Sequence, residues 1–308
     1  MNNNELDVTI LLPCHNEENA LPVVVKDIQR VMSCEKYSYE IIVVDDKSSD
    51  SSATMAEGLG CRAIRRHFRG GAGAARKTGI LEARGSIIVM LDADGSYTPD
   101  DIPKMLKYFP EYDQVNGART SEKGTFSWLR SPAKWAIRML ASYLAGRTIP
   151  DLNTGLKAFK RKIMTRYLWV IPDGFSCVSS MTLSFMCNGH SVMYIPTEYH
   201  KRIGRSKFNP IKDTYTYILT VLRLITYFSP LKVYLPAAFL FLTVGILKSL
   251  YDFFFLIQRL QLSDIILVIT GVIIGFQGLL ADLIVAQSRA WSFMVQNNCG
   301  RDGQGLGS

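Results

Sequence analysis

The chain has 308 residues, 48% of them hydrophobic and 20% charged, with a formal net charge of +8. That length admits one large domain plus an appendage. Six cysteines (14, 34, 61, 177, 187 and 299) and four histidines show no metal-ligand spacing, which excludes a zinc site, and no nucleic-acid motif accompanies the positive charge, which leaves anionic substrates and an anionic membrane surface as its partners.

The opening Met1-Asn2-Asn3-Asn4-Glu5 is polar and unlike a signal peptide. Val8 to Leu12, ended by Pro13, predicts a buried strand. From Asn16-Glu17-Glu18 a helix opens, with Leu21, Val24, Val25, Ile28, Val31 and Met32 at helical spacing. Ile41 to Val44 predicts a second strand ending in Asp45-Asp46, and Ser48, Ser49 and Asp50 offer caps for the next helix. Cys61 to Arg65 predicts a third strand. Gly70-Gly71-Ala72-Gly73-Ala74-Ala75-Arg76 leads into another helix, its glycines allowing close backbone approach to a ligand. Ser86 to Leu91 reads as a buried strand with Asp92 and Asp94 at its C-terminal end. Strand and helix thus alternate four times, which implies an α/β domain with a doubly wound, mostly parallel sheet.

In such sheets ligands bind at the C-terminal ends of strands. Two aspartates leaving one strand together repel each other unless a cation sits between them. The natural occupant is a hard divalent metal holding phosphate oxygens, which predicts a nucleotide-diphosphate substrate. Glu17, Asp45 and Asp92 are three acidic groups at strand ends that converge on one sheet edge. Asp46, taken alone, also reads as a helix cap.

Beyond Asp94 the pattern loosens. Pro99 starts a helix, and Val115 to Ala118 is a short strand ended by Arg119. Residues 128–145 put Trp128, Trp135, Met139 and Tyr143 near one face and Arg130, Lys134 and Arg138 on another. Residues 211–228 place Ile211, Tyr215, Ile218, Leu219, Leu222, Ile225 and Phe228 on one side. Both segments read either as core-facing helices or, beside membrane spans, as helices lying in the interface. Val233 to Leu247 and Ile265 to Ala281 carry no charge. With their flanks they predict two transmembrane helices, about 233–255 and 263–286, the alternative being a buried helical pair of a soluble core. Lys248 and Asp282 would each snorkel to its own interface. Lys232, Arg289 and Arg301 against Arg259 place the large domain and the Gly-rich tail, 288–308, on the cytoplasmic side.

Pro13-x-x-Asn16-Glu17-Glu18, Asp45-Asp46-x-Ser48-x-Asp50 and Asp92-x-Asp94, in this order and spacing, resemble glycosyltransferase family 2, with the GT-A nucleotide-diphospho-sugar transferase fold. Gly117-Ala118-Arg119, the segment Asp151 to Phe159, and Arg202-Ile203-Gly204-Arg205-Ser206-Lys207 join the hairpin in resembling the polyprenyl-phosphate branch. That branch includes dolichol-phosphate mannose synthases and bacterial undecaprenyl-phosphate glycosyltransferases. The resemblance implies a GT-A domain over 1–208, an interfacial helix over 209–231, two spans within 232–287 and a tail. It implies that Pro13, Glu17 and Asp45 cradle base and ribose, with Asn16, Asp46, Ser48, Gly73 and Arg76 around the donor. Asp92 and Asp94 would hold Mg²⁺ or Mn²⁺ on the diphosphate, although this chain has Gly95-Ser96 where many relatives have Leu-Gln. Arg202 would clamp the diphosphate, with Ser206 and Lys207 nearby. Arg119, Arg130, Ser131 and Lys134 would receive the lipid phosphate. Asp94, Arg119 and Arg202 would carry catalysis.

The function so implied is inverting transfer of a hexose from GDP-mannose or a UDP-sugar to dolichyl or undecaprenyl phosphate. The setting would be the cytoplasmic face of a bacterial or archaeal membrane, with membrane lipids and a second copy of the chain as further partners. A phosphate monoester has a second pKa near ~6, so as a nucleophile it needs little help from a base. Three alternatives stay open. A hydroxyl-directed transferase would use Asp151 as base. A processive polysaccharide synthase would need a Gln-x-x-Arg-Trp string, and the nearest here, Gln287 to Trp291, is wrongly spaced. A non-catalytic lipid-carrier binding protein would need no intact acidic set.

Overall fold

The computed structural model describes residues 6–120, 138–139, 141–143, 145–174, 176–203, 219–220, 223, 226–256 and 261–302, with side chains to residue 287. The chain divides into two units, Met1–Val221 and Leu222–Ser308.

The first unit is an α/β domain. Strands β1 (Leu6–Cys14), β2 (Tyr39–Asp45), β3 (Arg62–Arg65) and β4 (Gly85–Met90) alternate with helices α1 (Leu21–Met32), α2 (Ser52–Gly58) and α3 (Ala72–Glu82). A 3₁₀ turn, Pro99–Asp101, runs into α4 (Ile102–Leu106). There follow β5 (Gln114–Arg119), β6 (Lys157–Lys160), α5 (Arg161–Thr165), α6 (Cys177–Cys187) and β7 (Val192–Thr197). The strand order is β3-β2-β1-β4-β6-β5-β7. All six apolar positions expected of α1 are buried against the sheet, with Ile10, Leu12, Val43 and Val89 in the same core.

The expected parallel sheet carries one antiparallel strand among those described. β6 pairs antiparallel with both β4 and β5. Its four residues, Lys-Ala-Phe-Lys, hide a strand behind two lysines, one of them fully buried. The reversal has a consequence for the site: an antiparallel strand enters the sheet at the edge where its parallel neighbours leave it. Lys157 is opposite Met90, so the segment before β6 arrives beside Asp92. β7 pairs parallel with β5 and ends with Thr197 opposite Arg119, which delivers residues 198–203 to the same edge. Helix α6 also escapes a reading by periodicity. Ser180, Thr182 and Ser184 are buried in it, each hydroxyl donating to the carbonyl four residues earlier (3.1, 3.3 and 2.7 Å).

Of the two amphipathic segments, most of 128–145 and 211–228 lies outside the described residues. Within the described part, Met139 and Tyr143 are exposed and Ala141 is buried.

In the second unit, α7 (Leu231–Tyr251) continues through a π-helical turn (Asp252–Leu256), and α8 spans Leu262–Asp302. Leu231–Phe255 and Leu262–Gln287 have mean hydropathies of 1.8 and 2.1 and are long and apolar enough to cross a membrane. Most of their side chains are exposed, Phe239, Leu240, Phe276 and Leu283 among them, as lipid-facing residues would be. The two helices touch through glycine. A Cβ on Gly245, Gly271 or Gly278 would lie 2.9, 2.7 or 2.5 Å from Val268, Leu242 or Tyr234, so the helices run antiparallel as a close-packed hairpin.

Lys248 does not simply reach for the interface, as the sequence suggests. Its Nζ donates to Asp252 (2.7 Å), Asp264 (2.5 Å) and Ser263 (3.0 Å). Asp252 and Asp264 are both buried. Asp252 is one turn further along the helix, and Asp264 begins the returning one, so the amine meets two carboxylates at the closed end of the hairpin.

Candidate active site

The C-terminal ends of the adjacent parallel strands β2, β1 and β4 lie at one sheet edge, which brings Asp45, Glu17 and Asp92 to it. Residues 16–18 cross from β1 to α1 pinned at every backbone N–H. Asn16 donates to Ser48 Oγ (2.9 Å), Glu17 to Ser52 Oγ (2.9 Å) and Glu18 to Asp50 Oδ2 (3.2 Å). Asn16 has φ +54°, a left-handed conformation that asparagine tolerates better than most residues. Its Oδ1 accepts from the Ser49 N–H (2.8 Å). Asp45 accepts from both the N–H and the hydroxyl of Ser48. β1 continues through Pro13, which pairs with Val44 and does not end the strand as expected; the strand closes at Cys14.

Two expected donor contacts are turned inward. The carboxylate of Asp46 is buried; it pairs with Arg66 and accepts from the N–H groups of Gly70 (3.0 Å) and Gly71 (2.7 Å). It therefore anchors the glycine segment rather than offering oxygens outward. The glycines do permit a close approach, but to the protein's own backbone. Gly73 N–H donates to the Asp173 carbonyl (2.8 Å), and a Cβ there would lie 2.1 Å from the Pro172 carbonyl oxygen.

Asp92 and Asp94 leave β4 as predicted. Asp92 is held from beneath by Arg76 of α3, a buried guanidinium that also donates to Cys177 Sγ (3.0 Å). Arg76 thus reaches the site through Asp92 and not by facing a ligand. Gly155 closes the other side of Asp92; a Cβ there would lie 2.4 Å from Asp92 Oδ2. Asp94 Oδ1 accepts from the Ser96 N–H (3.0 Å), and its Oδ2 is 3.6 Å from Arg202. Burial first, then the Asp92 charge, hold the Asp94 carboxyl above its ordinary value, against Arg202.

Across the site, Arg119 at the end of β5 makes a two-pronged ion pair with Asp151, Nε to Oδ2 at 2.6 Å and Nη2 to Oδ1 at 2.9 Å. Burial alone would raise the Asp151 carboxyl, but Arg119 holds it below the usual carboxylate range. Two tyrosines without a place in the sequence reading stand between these groups. Tyr97 is buried, and its hydroxyl accepts from the Gly155 N–H (2.7 Å). Tyr199 meets Tyr97 edge to face at 5.2 Å. Each follows or precedes a motif residue by three positions, Asp94 and Arg202, which is the one sequence signal that pointed to them. Arg130, Ser131, Lys134, Ser206 and Lys207 lie outside the described residues.

Among the described residues no three His, Cys, Asp or Glu side chains gather as a metal-binding cluster. The donor set at the strand end is an oxygen pair, Asp92 and Asp94. A hard divalent cation with phosphate oxygens completing its shell suits such a pair, and its charge would offset the burial and the Asp92 repulsion that raise the Asp94 carboxyl.

The sequence model of glycosyl transferase family 2 matches residues 9–168, and that of the GtrB C-terminal hairpin matches residues 229–286. A dolichyl-phosphate hexose transferase of Haloferax volcanii is 29% identical over 206 residues, 66% of this chain and 87% of its own length. The glycosyltransferase AglJ of the same organism is 26% identical over 293 residues, 92% of this chain and 95% of its own. An undecaprenyl-phosphate 4-deoxy-4-formamido-L-arabinose transferase of Serratia proteamaculans is 32% identical over 172 residues, about half of each chain. Among solved structures, glucosyl-3-phosphoglycerate synthase from Mycobacterium tuberculosis, in complex with Mn²⁺, uridine diphosphate and glucosyl-3-phosphoglycerate, superposes with a TM-score of 0.56 at 17% identity. That match covers 71% of this chain and 80% of the other, and it speaks for the GT-A fold alone.

Proposed function

The chain belongs to glycosyltransferase family 2, and on that premise we propose that it is a membrane-bound inverting enzyme that moves a hexose from a nucleotide-diphosphate sugar to polyprenyl phosphate. The observation that carries this reading is the meeting, at one sheet edge, of the Asp92/Asp94 pair with two arginines, Arg202 beside Asp94 and Arg119 across the site. The relatives named for dolichyl- and undecaprenyl-phosphate transfer support the acceptor, and the GtrB-type hairpin supports a membrane setting.

Asp92 and Asp94 would hold Mg²⁺ or Mn²⁺, which when bound supplies charge compensation to the donor diphosphate. The Asn16–Glu17 platform and Asp45 cradle the nucleoside, and Arg202 clamps the diphosphate. Arg119 receives the lipid phosphate, aided by Arg130, Ser131 and Lys134. An oxygen of that phosphate, already ionised, attacks the anomeric carbon as the bond to the diphosphate oxygen breaks. The configuration inverts and nucleoside diphosphate leaves; no proton has to move. The chain's task is alignment of two anions and compensation of their charge. A hydroxyl acceptor would need a base, and both oxygens of Asp151, the candidate, are engaged by the Arg119 guanidinium. The α/β unit is assigned to the cytoplasmic face.

The test uses the purified full-length chain with Mn²⁺ or Mg²⁺ and a panel of nucleotide sugars. Polyprenyl phosphate should release nucleoside diphosphate and yield a polyprenyl-phosphate hexose by mass. The unphosphorylated polyprenol should yield none. Transfer to the alcohol instead would overturn the reading.

A further inference from the structure

Tyr199 stands between the two arginines that the proposed function gives to opposite substrates. The Arg119 guanidinium carbon lies 5.3 Å from the centre of the Tyr199 ring. At the ring's other end, Arg202 Nη2 donates to the phenol oxygen at 3.5 Å. The ring is itself fixed. It packs edge to face on Tyr97 at 5.2 Å, and the two residues form an isolated antiparallel bridge. Its neighbours are tied to the metal-side turn by backbone bonds, His200 N–H to the Ser96 carbonyl and Ile203 N–H to the Asp94 carbonyl, both 2.9 Å. Tyr97 is anchored in turn by Gly155, the residue against Asp92.

We infer that Tyr199 is a positioning residue that sets the distance between the acceptor-phosphate arginine, Arg119, and the donor-diphosphate arginine, Arg202; the inference rests on the proposed function. A guanidinium over an aromatic face is held in one plane without using its N–H donors. Asp151 grips the same guanidinium through its edge. Arg119 is thus fixed in orientation by the carboxylate and in position by the ring. Arg202 shares its charge with Asp94 and takes its second fixed point from the phenol oxygen. One rigid ring therefore spans two flexible cations. In a reaction whose catalysis is alignment of two anions, a displacement of ~1 Å between them costs about 100-fold in rate.

The two halves of the contact separate experimentally. Tyr199→Phe keeps the ring under Arg119 and deletes the oxygen that Arg202 touches. Tyr199→Leu deletes both. The variants are assayed as full-length protein in lipid vesicles, with polyprenyl phosphate titrated at saturating donor, and their thermal midpoints are compared with the parent. For Tyr199→Phe, kcat should fall about fivefold with the acceptor KM within about twofold of the parent. For Tyr199→Leu, the acceptor KM should rise about tenfold and kcat fall further. The inference is overturned if Tyr199→Phe matches the parent, because the link to Arg202 then carries nothing. It is equally overturned if Tyr199→Leu lowers kcat with the acceptor KM unmoved, because the ring then does not hold Arg119. A parent chain that transfers to no polyprenyl phosphate overturns the proposed function and this inference together, which separates the two failures.

Discussion

Asp92 and Asp94 are held in place by residues that carry little chemistry of their own. Gly155 leaves room for the Asp92 carboxylate, and a Cβ there would lie 2.4 Å from Oδ2. Gly155→Ala should push Asp92 off its Arg76 partner and lower kcat about tenfold, with a higher Mn²⁺ requirement in a metal titration. Asp94→Asn keeps the shape but removes a negative oxygen, and product formation should fall at least about 100-fold. Behind them lies Lys157, fully buried on β6, bonded to Thr182 (2.6 Å) and Asn116 (3.3 Å). Burial first, then the positive Arg76 and Arg119, push its amine down to about 7. An unfolded lysine holds its proton up to about pH 10. Below pH 7 the folded chain therefore carries the full cost of a buried charge. Between about pH 7 and about pH 10 the unfolded state binds the extra proton, so stability rises with pH through that window. Lys157→Met should flatten that rise and lift the thermal midpoint at pH 7 by ~2–5 °C, read from unfolding curves across the pH range.

Among the elements, β6 does most to make the site. Its antiparallel entry carries Asp151 to Leu156 to the edge where β4 and β5 leave, and without that reversal Asp151 could not grip Arg119. β7, parallel to β5, supplies Tyr199 and Arg202 at the same edge. In the hairpin the equivalent role falls to glycine. At Gly271 an added Cβ would meet Leu242, with its backbone nitrogen 2.9 Å away, so a side chain cannot be accommodated by a rotamer change alone. Gly271→Leu should force α7 and α8 apart at a cost of ~1–3 kcal/mol. The expected result is a lower unfolding temperature of the detergent-solubilised protein. Lys248 and Asp264, at the closed end, would separate with the helices.

For the whole molecule, the joining of a family 2 domain to a GtrB-type hairpin fits chemistry on a water-insoluble phosphate. The proposed cytoplasmic placement is testable through Cys34, which is exposed, whereas Cys14, Cys61 and Cys177 are buried. In a Cys187→Ser, Cys299→Ser background, a membrane-impermeant maleimide should label Cys34 in inverted vesicles and not in sealed right-side-out cells. The opposite pattern would reverse the assigned topology. The four-fold strand–helix alternation, the buried face of α1, the acidic strand ends and the two long apolar helices are legible in the sequence. These features are local: apolar periodicity, a carboxylate at the end of a hydrophobic run and uninterrupted apolar length each reside in a short window. Only the tertiary structure decided that Asp46, Gly73 and Arg76 turn inward, that Lys248 meets two carboxylates, and that Asp151, Tyr97 and Tyr199 join the site. Those depend on which distant segments share a sheet edge. A lysine-flanked four-residue strand and a serine-rich buried helix carry no periodic signal of where they pack; the pairing of β6 with β4 and β5 sets it.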